Sequence, residues 1–239
     1  MKRKTVSILI IALFILSVFS GCNDKLTRGD FEYIFYGEGD KREADIVGLT
    51  PDGMKKKILV VPKKINGYPV VAIWRRSITG YFQTIWETDQ LEILYIPCKL
   101  QIFGNTFLKC PNLNKIFVLN FEEDTTWGDY NFDFYYTSIS IYIYRYYYIS
   151  NMQKSTIKPA NVTYYYNYDD SPNNGCYWLD NLEDGEKISF IPEEPIREGY
   201  VFAGWYKEPE CINKWDFEND IIYASKDDFY ENKLYAKWE

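Results

Sequence analysis

One seven-residue phrase occurs twice, 22 residues apart. Leu91-Glu92-Ile93-Leu94-Tyr95-Ile96-Pro97 is echoed by Leu113-Asn114-Lys115-Ile116-Phe117-Val118-Leu119. Periods of about 20–50 residues mark stacked repeats. A unit this small cannot bury its own apolar face and has to lie against its neighbours. Residues 58–73 read as a wider first unit and residues 137–144 as a third copy. About three units are needed for a stable stack, so this array is short and its ends need covers. The apolar–polar alternation of residues 31–36 opens a hairpin over residues 31–50 that is expected to cover the first edge. The alternating strand of residues 138–144 is expected to close the other, and the acidic insert 122–133 to be an exposed loop. Residues 152–159 are more polar, carry no strand pattern and read as a boundary.

The C-terminal third carries a different pattern. Gly199-Tyr200-Val201-Phe202-Ala203-Gly204-Trp205-Tyr206 is followed by Trp215-Asp216-Phe217 and closed by Leu234-Tyr235-Ala236-Lys237-Trp238. Glycines at fixed offsets among aromatics allow sharp turns where a Cβ would clash. An opening strand over residues 162–167 and a Pro/Asn/Gly turn before residue 176 precede it. In order and spacing this stretch resembles the Listeria–Bacteroides repeat, also called the internalin B-repeat, a building block of bacterial surface proteins. The resemblance implies a small β-grasp-like domain. Gly199, Tyr200, Phe202, Gly204, Trp205, Tyr206, Trp215 and Trp238 would be its structural motif, with Tyr200, Trp205 and Trp238 as core anchors.

The earlier repeat, with Ile102, Gly104, Phe107, Cys110 and Leu113 between its two strands, resembles the leucine-rich repeat of Bacteroides surface protein A (BspA) type. That resemblance implies that Phe107, Cys110 and Leu113 point inward. The fold expected is therefore mainly β: a short leucine-rich-repeat solenoid over residues 31–150, then a small β-grasp-like repeat domain over residues 160–239.

The N-terminus reads as an address. Lys2, Arg3 and Lys4 precede an apolar run from Val6 to Phe19, and Ser20-Gly21-Cys22 follows. Basic start, apolar run and small residues make a secretory signal peptide. A cysteine in this place resembles the bacterial lipobox, which implies cleavage between Gly21 and Cys22 and a lipid on Cys22. Residues 1–21 are then a signal peptide and residues 22–30 a polar tether. The expected location is the extracellular side of the bacterial membrane, with the membrane as a partner through the lipid. An uncleaved anchor is the alternative, although the run is near the minimum length for a span.

Removing residues 1–21 takes away three bases and no acids, leaving 24 against 34 and a net charge of −10. A chain this acidic has no electrostatic footprint for nucleic acid. Histidine is absent, which removes Ser-His and Cys-His nucleophile pairs and imidazole metal sites. The acidic runs 122–124, 169–170, 193–194 and 227–228 lack a calcium-loop motif and read as solvated loops. No enzyme activity, cofactor or metal is expected. Cys98, Cys110, Cys176 and Cys211 follow the lipobox. Pairing within domains would join Cys98 to Cys110 and Cys176 to Cys211. Buried thiols are the preferred state of the first two.

The chain holds 23 Tyr, a residue that suits half-exposed strand faces. Tyr130, Phe132, Tyr135, Tyr136, Tyr146 and Tyr147 mark an aromatic-dense region between the domains. It is the expected contact surface for an unknown protein or glycan ligand, set against a purely structural closing strand. The function expected is adhesion or ligand binding without catalysis. A glycan-binding or glycan-processing envelope accessory and a passive stalk are the alternatives.

Overall fold

The computed structural model describes residues 26–73, 86–97, 100–102, 106–107, 109–119, 139–144, 157–225 and 230–239. Gly21, Cys22, Cys98, the acidic insert 122–133 and the aromatic positions Tyr130, Phe132, Tyr135, Tyr136, Tyr146 and Tyr147 lie outside the described residues. The strands of the first half are β1 (Leu26–Arg28), β2 (Phe31–Tyr36), β3 (Glu43–Leu49), β4 (Ile58–Val60), β5 (Lys64–Ile65), β6 (Tyr68–Ile73), β7 (Ile93–Ile96), β8 (Gln101–Ile102), β9 (Lys115–Val118) and β10 (Ser140–Ile143). Those of the second are β11 (Ile157–Pro159), β12 (Val162–Tyr165), β13 (Cys176–Asp180), β14 (Phe202–Tyr206) and β15 (Asn232–Trp238). Among the described residues no helix is long and apolar enough to cross a membrane.

The 22-residue echo is a stacking register. Ile93 lies opposite Lys115 and Ile96 opposite Val118 in a parallel pair. The whole middle sheet is parallel, in the order β4-β7-β9-β10-β11. Equivalent backbone bonds extend past the strand ends: Leu119 N–H donates to Ile96 C=O, and Ala160 N–H to Ile143 C=O, each at 3.0 Å. A second sheet, β1-β2-β3-β6-β5 with β8 also paired to β6, lies across the same core.

That core takes the inward residues of the parallel strands, Leu59, Leu94, Ile96, Ile116, Val118, Ile141 and Ile143, together with Phe31, Ile46 and Leu49 of the β2–β3 hairpin. Phe107, Cys110 and Leu113 are buried in it, at the positions the repeat pattern assigns inward. Trp86 is fully buried, edge-on to Phe107 at 5.3 Å. Burial raises the Cys110 thiol to about 11, so it stays protonated and behaves as a small apolar side chain.

At the first end the β2–β3 hairpin packs on the first unit through β6 and builds the second sheet. The expectation for the other end is corrected: residues 138–144 do not close it. β10 is an inner strand, and the edge is β11, inside the stretch where no strand is expected. Ile157 supplies one inward apolar side chain, which is enough for a three-residue strand. Pro159 has no N–H to donate, a defect tolerated at a sheet edge.

The outward face of the parallel sheet is also dry. Tyr95 stacks on Phe117 at 4.7 Å and Phe117 on Tyr142 at 5.1 Å. This three-ring ladder is covered by the C-terminal domain: Trp178 lies 4.4 Å and Phe190 5.3 Å from Tyr95. The Lys115 ammonium reaches across to Asn181 C=O at 2.8 Å. Ladder and C-terminal domain share one apolar cluster, so the two halves are packed as a unit. Aromatic pairs of this kind contribute about 0.5–1.5 kcal/mol each beyond the area they bury.

Phe117 is the middle rung and has no exposed surface. Phe117→Ala is expected to destabilise the chain by about 3–5 kcal/mol and to split unfolding into two steps. Denaturant titration followed by tryptophan fluorescence checks this. One unchanged transition would show that the ladder does not couple the halves.

Candidate functional site

The C-terminal domain is a four-stranded sheet in the order β13-β12-β15-β14. Its central pair, β12 and β15, is parallel; the outer pairs are antiparallel. Val162, Tyr164, Leu234 and Ala236 alternate inward along the central strands and are fully buried. Trp205 covers them, edge-on to Tyr164 at 4.9 Å and stacked against Tyr177 at 5.6 Å. Phe202 lies edge-on to Trp205 and to Trp238. The Trp215 N–H of the backbone donates to Trp205 C=O at 2.8 Å, which ties the next segment to the outer edge of β14. Trp238 is half-buried, and its indole N–H donates to Tyr166 C=O at 2.6 Å.

The motif glycines sit where the chain requires them. Gly199 has φ +79° and Gly204 φ +118°. A Cβ on Gly204 would also stand 2.7 Å from Lys214 Cε. Tyr200 departs from the core role expected of it, being 49% exposed. It precedes β14 rather than lying in it, and the Arg197 guanidinium rests 3.7 Å above its ring. Tyr168 flanks the same guanidinium at 4.4 Å. Tyr206 is half-buried, with Lys237 Nζ 5.6 Å from its ring.

The Cys176–Cys211 pairing is corrected as well. Both are free thiols. Cys176 lies on β13 opposite Tyr165, which on its other side faces Tyr235 of β15. Cys211 packs beside Ala236 of β15, with Sγ 3.8 Å from its carbonyl oxygen. Cys211 Sγ accepts from the Asn167 amide at 3.4 Å, whereas Cys176 Sγ lies against Trp178 C=O at 3.8 Å, so the two thiols have separate surroundings.

One carboxylate is enclosed at the domain junction. Asp180 is 5% exposed. Asn181 N–H donates to its Oδ1 at 2.7 Å, and the Tyr95 hydroxyl is within hydrogen-bonding reach. Burial raises its carboxyl from 3.8 to about 6, against the opposing pull of the Asn181 N–H, Lys115 and Tyr95; Glu186 adds to the rise. The neighbouring Tyr164 hydroxyl is buried with no partner among the described residues. Nothing in the strand pattern marks Asp180. Its signal is a lone acid at the end of the apolar run Cys176-Tyr177-Trp178-Leu179.

An open cavity of about 370 Å³ lies between the segment after β14 and the last strand. Trp215, Tyr223 and Tyr230 supply aromatic surface; Lys207, Asp220 and Lys233 supply charge. Lys207 and Asp220 are paired at 2.7 Å. Burial tends to raise Asp220, but the Lys207 ammonium and the Asp216 N–H outweigh it and hold the carboxyl below its usual range. Asn232 fixes the wall: its Oδ1 accepts from Tyr223 N–H at 3.0 Å and its Nδ2 donates to Tyr223 C=O at 2.9 Å. Of the motif residues only Trp215 reaches this cavity. Tyr223 and Tyr230 belong to the polar insert after Trp215 and carry no motif, so spacing alone does not find them.

The sequence profile of the Listeria-Bacteroides repeat domain matches residues 153–237. The match begins before residue 160, where the domain is expected to start, and takes in β11. Two proteins of Evansella cellulosilytica are similar over a shorter stretch. One, described as a Gly-rich membrane protein, is 38% identical over 58 residues; the other, described as a membrane protein, is 40% identical over 58 residues. The stretch is 23% of this chain but 6% and 8% of those proteins, so this chain spans a small fraction of the relatives it matches.

Two outcomes follow from the packing. Trp205, 3% exposed, should lose about 3–5 kcal/mol of stability on Trp205→Ala, whereas Tyr200→Ala, which removes an exposed cation–π contact, should lose about 1 kcal/mol or less. Thermal melts of the two variants separate core from surface motif positions, and equal losses would contradict the assignment. Asp180 contributes a pH dependence of the opposite sign to a salt-bridged acid. Between pH 3.8 and about 6 the folded chain holds a proton that the unfolded chain has released, so this group's contribution falls as pH rises through that window. The full span is on the order of 3 kcal/mol. Asp180→Asn should remove that slope and leave the variant more stable than the parent above pH 6. Stability curves of both proteins from pH 4 to 8 measure the difference, and parallel curves would refute it.

Proposed function

We propose that this chain is a lipid-anchored protein displayed on the outer side of a bacterial membrane, which binds a ligand and carries out no catalysis. The observation that carries this reading is the repeat-domain match over residues 153–237, since that module is a surface-protein building block. The sheet order, with two parallel central strands flanked by antiparallel ones, supports the β-grasp-like form of that domain. The in-register 22-residue stacking and the inward Phe107, Cys110 and Leu113 support a short BspA-type leucine-rich-repeat solenoid ahead of it. The aromatic junction makes the pair one stiff body, which suits presentation at a distance from the membrane.

The non-enzymatic reading draws on the chemistry of the acids. Asp180, with a raised carboxyl, is closed inside the junction instead of facing a cleft. Asp220 faces the cavity but is held ionised by Lys207. A pair of carboxylates with divergent protonation at one opening, as glycoside hydrolysis needs, is not assembled among the described residues. The cavity favours a glycan over a protein as the ligand, because it is small and concave rather than broad and flat.

The anchor has a direct test. Cys22→Ser, expressed in a Gram-positive host, should move the chain from the membrane fraction to the medium. Protease added to intact cells should degrade the parent protein. Retention of the variant in the membrane, or protection of the parent from protease, would refute lipid anchoring or display respectively.

A further inference from the structure

We infer that the cavity beside β15 is a binding site for a short neutral saccharide, with Tyr223 and Tyr230 as its stacking platform. The inference rests on the ligand-binding reading above and gives it a place and a chemical class. Tyr223 is 61% and Tyr230 55% exposed. Their rings meet edge to face, with centroids 6.5 Å apart and planes at 78°. In most of this domain tyrosine rings cover one another or the core; these two are largely exposed and line the cavity. The C–H face of a pyranose is the apolar surface that matches an open phenol ring.

The polar lining points to hydroxyl groups and not to charge. Lys207 is already paired with Asp220 at 2.7 Å and Lys233 with Glu231 at 3.5 Å. Each of these cations is already partly neutralised by a carboxylate, which weakens its pull on an anionic ligand. The Lys207–Asp220 pair keeps unused capacity, however, since an ammonium has three donors and a carboxylate about four acceptor sites. A donor and an acceptor held side by side at this distance match two adjacent sugar hydroxyls, each of which gives and takes a hydrogen bond. Trp215 lines the same cavity, is 9% exposed, and has an indole N–H without an acceptor among the described residues.

The Tyr223 wall is held in place. Asn232 holds both backbone polar groups of Tyr223 and donates to Asn161 C=O at 3.1 Å. Ordering this wall is therefore complete before a ligand arrives, which limits the entropy lost on binding. The volume of about 370 Å³ is at the low end of the range of small-molecule sites, about 300–1,000 Å³. It accommodates a short saccharide and not a folded partner.

The test uses the whole secreted chain. Gluco-, manno-, xylo- and N-acetylglucosamine oligosaccharides are titrated calorimetrically, beside oligogalacturonate and chondroitin sulfate. At least one neutral oligosaccharide is expected to bind with Kd of about 1 mM or tighter. Tyr223→Ala and Tyr230→Ala should each weaken it by about tenfold or more, and Tyr200→Ala should leave it unchanged. Tyr223 and Tyr230 are exposed, so the melting temperature of each variant should stay at the parent value, which separates lost binding from lost fold. Absence of binding to every neutral oligosaccharide would overturn the assignment. So would binding indifferent to both tyrosines, or binding only to the acidic polymers. Attachment of cells displaying the parent chain to a host or bacterial surface is measured in parallel. Attachment without saccharide binding leaves the adhesion reading standing and removes the sugar.

Discussion

The stack of Tyr95, Phe117 and Tyr142 is the contact on which the rest of the molecule depends. A parallel sheet is usually covered on both faces. The inner face of this one is filled by the second sheet and by the turns that carry Phe107, Cys110 and Leu113. A five-stranded array has no room for a large core of its own, and its outer face would otherwise present three aromatic rings in a row. Trp178 and Phe190 cover them, and the sheet then has two dry faces. The same contact orients the C-terminal domain, because Trp178 sits on an edge strand whose next residues include Asp180 and Asn181.

That junction shifts where a ligand can be met. A repeat array that leaves its parallel sheet open offers that sheet as a binding surface; here the surface is consumed by packing within the chain. Among the described residues of the tyrosine-dense part, Tyr142 and Tyr144 are both buried. Among the described residues an open concave surface lies instead beside β15 and the Trp215 segment. In the function proposed above, the first half is then the mount and the second carries the cavity.

Much of this was legible in the residue pattern. The 22-residue echo became a register because parallel pairing places like positions on top of one another, and period-2 alternation set which of them face inward. The covered outer face had a signal that the repeat reading did not use. Leu94-Tyr95-Ile96 and Ile116-Phe117-Val118 are apolar on both sides of the strand, the mark of a sheet buried twice. Three features were less legible, for physical reasons. β11 is short and its pattern amounts to Ile157 alone, so only the neighbouring β10 makes it a strand. Tyr200 and Trp205 belong to one motif, but Tyr200 precedes β14 and a bulge at Gly204 resets the alternation before Trp205, so spacing does not say which of them is buried. Tyr223 and Tyr230 lie in an insert whose closeness to β15 comes from Asn232 hydrogen bonds, a tertiary effect.

The abundance of tyrosine in so acidic a chain has a structural account in its cations. Arg197 rests on Tyr200 and Tyr168, Arg42 on Phe35 and Tyr68, Lys237 on Tyr206 and Lys207 on Trp215. Lys and Arg lie their stems on ring faces and keep their charge near water. Bases held in this way, or paired with carboxylates as Lys57, Lys109 and Lys207 are, have part of their charge offset. Polyanions meet a chain of net negative charge in which these cations are already engaged. The saccharide proposed above would meet aromatic faces and a paired donor and acceptor beside β15, the combination a hydroxyl-rich, uncharged ligand requires.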